Sequence, residues 1–413
     1  MIRNINALLI LFLATSMLAG CGGSSGGTET GGSAGDASTT VAQDGAASDP
    51  ALAAADQNTW LAATDPAPAN DRITTVEIAK GLENPWAIGR LPDGTLLVTE
   101  RPGRLRPVSA TGAIGAPIAG LPPVAFVGQG GLLDVLVSPN FATDSWLYFT
   151  YSEPAGGDLA RTAVARARYR AARLEDWQVI YRQQPAVAGG DHFGARLAMA
   201  GDGSLYVTLG DRTRRDLAQD LASGLGKVVR IAPDGGIPAD NPFIGQTGVE
   251  PAVYAWGVRN PQSAARHPGT GDIWIGEHGP LGGDEINRLR AGTNYGWPCI
   301  TYGREYADGA AIGEGTEAAD VAPPLHYWVP VSVAPAGMIF YNANQVPALR
   351  GTLLVGALAA RALIRLTVTD DAVTGEERLL QALGERIRDI EQGADGHPYL
   401  ITDSGRLLRI DPR

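Results

Sequence analysis

One short motif returns six times along this chain and leaves few architectures open to it. A small or acidic turn is followed each time by four or five β-forming residues. The copies are Asp93–Thr99, Asp144–Thr150, Asp202–Thr208, Gly271–Gly276, Gly351–Gly356 and Asp395–Thr402. Each reads as a hairpin turn feeding an inner strand. A unit of this size cannot bury its apolar face alone, so copies must pack on one another. Six copies predict an all-β chain, a six-bladed β-propeller. A pair of β-sandwiches would need a linker inside the domain, and none is visible after residue 70. No sustained helical period interrupts the pattern; Leu174–Trp177 reads as a brief turn. The 54 glycines and 28 prolines fit a chain that turns often, and 44% apolar residues suffice for a large core.

The folded region begins near Arg72, where Ile73–Ile78 alternates like a strand. Residues 1–20 read as an export signal: Arg3 is its positive region and Ala7–Met17 its apolar run, too short to span a bilayer comfortably. Leu18-Ala19-Gly20-Cys21 resembles the lipobox of bacterial lipoproteins, which implies a lipidated Cys21. Gly22 in place of Asp leans towards the outer membrane, so the expected location is the periplasmic side of the envelope. Residues 21–70, opening with Gly22–Gly27, are too poor in apolar residues to order themselves and read as a tether. Residues 71–413 form the propeller. The net charge of −11 repels phosphate backbones and speaks against nucleic acid.

Among five histidines, His192 stands out, in Gly190-Asp191-His192-Phe193-Gly194-Ala195-Arg196. With Gly201-Asp202 as a two-residue hairpin loop, paired residue numbers sum to 403, and His192 then faces Asp211. Cross-strand β-carbons lie about 5 Å apart, so imidazole and carboxylate can bond and leave one ring nitrogen as a general base. A structural pair closing the hairpin has the same spacing. The second signal is Glu277–Asn287, a Gly- and Pro-rich loop whose oxygens suit a hard cation such as calcium. The third is Arg259 before Asn260-Pro261, and the fourth Arg386 and Arg388, two apart on one strand face. These guanidinium groups suit an anionic ligand, although surface ion pairs would look alike.

Together, Gly81–Trp86, Gly128–Asp134, Asp191–Leu197, Gly257–Gln262, Glu277–Asn287 and Arg386–Asp389 resemble, in this order, the soluble PQQ-dependent sugar dehydrogenases, the aldose sugar dehydrogenase branch most nearly. The resemblance spans about residues 72–412 and implies a six-bladed propeller. It implies His192 as base, Asp211 as its orienting carboxylate, and Arg259 and Asn260 beside the reactive carbonyl of PQQ. It further implies Gln129 and Asp191 at the cofactor and sugar, the carbonyls of Gly279 and Pro280 on a Ca2+ ion, and Arg386 and Arg388 on cofactor carboxylates. The family's lysine on PQQ is Ala359 here; Arg361, sharing a strand face with it, is the expected substitute. Trp328 is the expected sugar-stacking aromatic. The implied reaction oxidises an aldose at C1 to a lactone, with PQQ and calcium as cofactors and an unknown electron acceptor. Two other readings stay open: a calcium-dependent propeller lactonase, which would leave the arginines without a task, and a non-catalytic propeller that lost its cofactor with the change at Ala359.

Overall fold

The computed structural model describes residues 72–413. The expected export signal, Cys21 and the expected tether lie outside the described residues. Within them, six sheets of three to five strands, antiparallel but for the short outer strand Thr293–Asn294 of the third, follow one another along the chain. The innermost strands are Pro85–Arg90, Leu132–Val137, Gly194–Met199, Pro261–Arg266, Pro335–Tyr341 and Ile387–Gln392. Each packs against the next in chain order, and the last meets the first, so they ring a channel. The fold is therefore the six-bladed β-propeller expected from the repeats.

The ring closes with both ends of the described chain. Ile73–Lys80 pairs antiparallel with Arg406–Pro412 and becomes the outer strand of the sixth blade. The core is likewise distributed. Six main apolar clusters lie among the described residues, one at each blade–blade interface: Trp86, Leu97, Leu133 and Phe149 join blades 1 and 2, and Ile88, Val98, Leu407 and Ile401 join blades 1 and 6. Alternate residues of each strand face opposite neighbours, which is why the strands are apolar on both sides.

Two expectations are corrected here. The repeated motif supplies the second strand of each blade (Leu96–Glu100 in the first, Leu205–Leu209 in the third), not the strand lining the channel. Leu174–Trp177 is no turn; it lies within strand Arg173–Arg182, irregular at Asp176, where φ is +53°.

The threonine ending several copies of the motif has a structural task. All six channel strands carry a register shift near their first residues. Such a bulge leaves an amide outside the ladder. In blades 1, 2 and 3 the motif's threonine accepts it: Ala87 N–H bonds Thr99 Oγ1, Asp134 N–H bonds Thr150 Oγ1 and Arg196 N–H bonds Thr208 Oγ1, each at 2.9 Å. Each hydroxyl then donates to the next blade, to Leu133 O (2.6 Å), Ala195 O (2.6 Å) and Pro261 O (2.8 Å). These links tie bulge to bulge around one mouth of the channel, where the chain meets its candidate chemistry.

Candidate active site

His192 stands just before the third channel strand, on backbone with φ +51°. Its Nδ1 lies 2.7 Å from Asp211 Oδ1. Asp211 is held on every side: Oδ1 also accepts the Thr213 amide (2.8 Å), Oδ2 accepts the Trp297 indole N–H (2.8 Å), and its own amide donates to Arg259 O (2.8 Å). Burial by itself would raise this carboxyl, but the His192 bond, the Arg259 charge and the Thr213 amide bring it below the ordinary range. The His192 ring is lowered, first by burial and then by Arg259, against the pull of Asp211. An ionised Asp211 and a neutral imidazole put the ring proton on Nδ1. Nε2 is left as a base, with no hydrogen bond among the described residues.

The pairing came out as the hairpin count had it, although the count rests on a different turn. The loop is longer than two residues, and near it paired numbers sum to 404: Met199 faces Leu205 and Leu197 faces Val207. The bulge between Gly194 and Leu197 removes one, so Gly194 faces Leu209 at 403. The bulge restores the register that the longer turn had displaced.

Gln129 and Asn260 tie this unit to its neighbours. Gln129 Oε1 accepts the His192 amide (3.1 Å) and the Asn260 side-chain amide (3.3 Å), while Asn260 Oδ1 accepts the Gly194 amide (3.1 Å). The Gln129 amide donates to Gly190 O at 2.7 Å. Gly128 is required there, since a Cβ on it would lie 2.5 Å from Gly190 O. Asp191 is exposed beside His192.

Arg259 is buried, and its amide donates to Glu277 Oε2 (2.6 Å). Its Nη1 donates to His278 O (3.1 Å) and Gly279 O (2.7 Å). The guanidinium also lies 5.5 Å from the Trp297 ring centre and 5.9 Å from that of Tyr306. The Pro280 carbonyl accepts Ser332 Oγ–H at 3.1 Å. Asp284 shapes this loop by accepting the amides of Gly279, Val333 and Ala334 at 2.6–2.8 Å. Each carbonyl accepts a single such bond and keeps a second lone pair, which fits a cation-binding edge. His278 is structural: its Nε2 bonds Pro335 O (2.9 Å) and burial drives it down to about 3.

Arg386 and Arg388 converge as the spacing suggests, on a carboxylate that the sequence reading passed over. Arg386 Nε reaches Asp403 Oδ2 at 2.7 Å, and Arg388 Nε reaches Oδ1 at 2.9 Å. Arg388 also donates to Gln262 Oε1 (2.9 Å). Arg101 joins this group unannounced. Burial, and then the Arg388 charge, lower it to about 10. Its Nε donates to Gly130 O (3.0 Å) and its Nη2 to Gly128 O, on either side of Gln129. One signal could have found both residues. Arg101 and Asp403 lie one or two positions past a motif threonine, as Asp211 lies three past Thr208, and there the second strand of each blade delivers the chain to the mouth.

Two site expectations are corrected. Trp328 is 4% exposed, packed in the apolar cluster between blades 4 and 5, with its indole N–H on Glu376 (3.0 Å). It offers no ring face to a sugar; among the described residues the exposed aromatics are Phe126, Tyr306 and Tyr327, the last stacked on Tyr302 at 3.9 Å. Ala359 and Arg361 do not share a strand face, because the strand ends at Ala357 and both lie on the turn that follows. Arg361 is exposed, with Nη1 3.2 Å from Gly384 O.

Six blades with a buried imidazole–carboxylate pair and four arginines at one mouth have the layout of a propeller enzyme that handles an anionic group. Among the described residues, the guanidinium hydrogen bonds of Arg101 and Arg259 run to main-chain carbonyls only, and Arg386 and Arg388 share Asp403. The family model described as Glucose / Sorbosone dehydrogenase matches residues 82–409, and the chain belongs to that family. The aldose sugar dehydrogenase YliI of Escherichia coli (strain K12) is 42% identical over 339 residues, 80% of this chain and 91% of that protein. The crystal structure of the soluble aldose sugar dehydrogenase of Escherichia coli in the apo form has a TM-score of 0.80 at 40% identity, covering 83% of this chain and 100% of that one. The PQQ-bound form of the aldose sugar dehydrogenase of Streptomyces coelicolor has a TM-score of 0.69 at 26% identity, over 84% of this chain and 100% of that one.

Proposed function

We propose that this chain oxidises aldose sugars at C1 to lactones with PQQ and Ca2+, His192 serving as general base. The reading is carried by the 2.7 Å bond between His192 Nδ1 and Asp211, which leaves Nε2 neutral and without a hydrogen bond among the described residues. It is supported by the family and by the PQQ-bound relative. The residues present fit the cofactor: four arginines share little negative charge in a protein of net charge −11, which suits a ligand bearing carboxylates. Arg386, Arg388, Asn260 and Gln129 would hold it, and the carbonyls of Gly279 and Pro280 would hold calcium. Bound PQQ supplies the acceptor for the hydride leaving C1.

The chain's own part is acid–base and electrostatic. His192 Nε2 takes the C1 hydroxyl proton, and Asp211 steadies the imidazolium that forms. Arg259, anchored through Nη1, stabilises negative charge developing at the mouth. Asp191, exposed beside the base, is placed to meet sugar hydroxyls. Export, lipidation of Cys21 and a periplasmic station belong to the same proposal, as does an electron acceptor of unassigned kind.

The test is to load purified protein with PQQ and Ca2+ and assay aldoses with an artificial acceptor. Turnover is expected in the wild type, and His192→Ala should lose about 10³-fold or more while still shifting the PQQ absorbance. A loaded wild type that oxidises no aldose would overturn the reading, and lactone hydrolysis without PQQ would favour the lactonase.

A further inference from the structure

Asp211 is followed directly by Arg212, which reaches back to the other side of His192. The residue is 1% exposed. Its hydrogen bonds run to three main-chain carbonyls: Nε to Asp191 O (2.7 Å), Nη1 to Ala160 O (3.0 Å) and Nη2 to Gly189 O. Its guanidinium carbon lies 3.7 Å from the centre of the Phe193 ring. Arg212 therefore grips the residue before His192 through its carbonyl and the residue after it through its ring. Among the described residues it has no ion-pair partner, and a cation buried in that way is costly, so these contacts favour a site where the carbonyl positions matter.

They matter because the chain at His192 is strained. His192 has φ +51° and Ala195 has φ +82°, left-handed values that side chains adopt only when their surroundings hold them there. Arg212 and Thr213 have φ +52° and +60°, so the hairpin end that supplies both Asp211 and Arg212 is itself bent to serve them. Gln129 and Asn260 hold the amides of His192 and Gly194 from one side. Arg212 holds the carbonyls of Gly189 and Asp191 from the other.

We propose that Arg212 is a positioning residue for the base, holding the Gly189–Phe193 main chain so that the His192 ring stays on Asp211. The proposal rests on His192 being the base. Lysine cannot replace it fully, because one ammonium lacks the planar fork that spans three carbonyls.

The test uses the full chain loaded with PQQ and Ca2+, comparing Arg212→Ala, Arg212→Lys and His192→Ala, with nitrogen NMR of the histidines in the unloaded protein. For Arg212→Ala, kcat should fall about 10- to 100-fold with KM changed less than about threefold. PQQ titration should be unchanged, and guanidinium ion should restore part of kcat. Arg212→Lys should fall between. The His192 resonances should lose their single Nδ1–H pattern in both variants. A folded Arg212→Ala with kcat within twofold of wild type and unchanged His192 resonances overturns the proposal. So does activity lost only in step with PQQ affinity. If alanine does not fold, lysine decides by the same readouts; if neither folds, Arg212 is a brace of the fold and the proposal fails. An active His192→Ala would instead sink the base assignment, while the resonances still report whether Arg212 holds the ring.

Discussion

Two arginines of the same channel show different fates for a buried charge. Arg196, on the third channel strand, sets Nη1 3.0 Å from Asp389 and 3.3 Å from Asp134, with its plane 4.2 Å over Trp86. Beside it is a cavity of about 190 Å³ lined partly by Arg196, Asp134, Asp389 and Glu391. Arg259, at the mouth, donates instead to the carbonyls of His278 and Gly279. One charge is cancelled by two carboxylates contributed by other blades and serves the ring. The other is held in place by dipoles, so its field remains available to an anion. Of these two, the matched charge is structural and the unmatched one belongs to the site, while Arg386 and Arg388 lie between, two cations on the single Asp403 carboxylate.

The strongest challenge to that division is Asp211, a carboxylate in the mouth that is matched to His192. If it serves chemistry, Asp211→Asn should lower kcat about 10³-fold, since an amide can leave the wrong tautomer on the ring. Near-normal kcat, with the PQQ absorbance shift retained, would place the pair on the structural side.

Next comes the contrast itself. Arg259→Lys should lower kcat/KM about 10²-fold with little change in the thermal midpoint. Arg196→Met should destabilise by about 3–5 kcal/mol, because it strands Asp134 and Asp389 in the interior. Denaturant unfolding and steady-state kinetics on both variants read the outcome, and equal stability losses would erase the distinction.

A smaller effect concerns pH. Burial and the Arg259 charge both disfavour protonated His192, so the acid limb of kcat/KM should inflect below 6.5. Arg259→Gln should move that limb upward, and an unmoved limb would show that the mouth does not feel the guanidinium.

The smallest effect belongs to the cavity. Burial, then Asp389, raise Glu391 to about 7. Between the ordinary value of 4.5 and about 7, the native state keeps a proton that the unfolded chain has lost. Stability from this group is therefore present at acid pH and declines as pH rises through 7. Glu391→Gln should gain a few degrees in thermal midpoint over wild type at pH 8 and nothing at pH 5. An equal gain at both would mean that the carboxyl does not titrate.

The sequence showed some of this and hid the rest, for identifiable reasons. Blade number was legible because a turn and its strand lie within eight residues. Which strand lines the channel was not, because all inner strands are apolar on both faces. The partnership of His192 with Asp211 was legible from hairpin arithmetic, although a longer turn and a bulge had to offset each other. Arg101 escaped notice because its partners are main-chain carbonyls of the next blade, which carry no residue signature; Asp403 lies in the same blade as Arg386 and Arg388 but just past the end of its strand, beyond the reach of an alternation pattern. Trp328 was misplaced because burial of an aromatic depends on the neighbouring blade.

The sequence alone therefore determined the repeat, the all-β architecture, the family and the types of residue brought to the chemistry. These follow from local turn preference, alternation and short motifs. Only the tertiary structure decided which charges are cancelled and which are left over. That outcome depends on closing the ring, which sets Arg196 between carboxylates of blades 2 and 6 and leaves Arg259 with carbonyls. Coulombic matching acts across space, between residues 193 positions apart in the case of Arg196 and Asp389, and no reading along the chain can sum it.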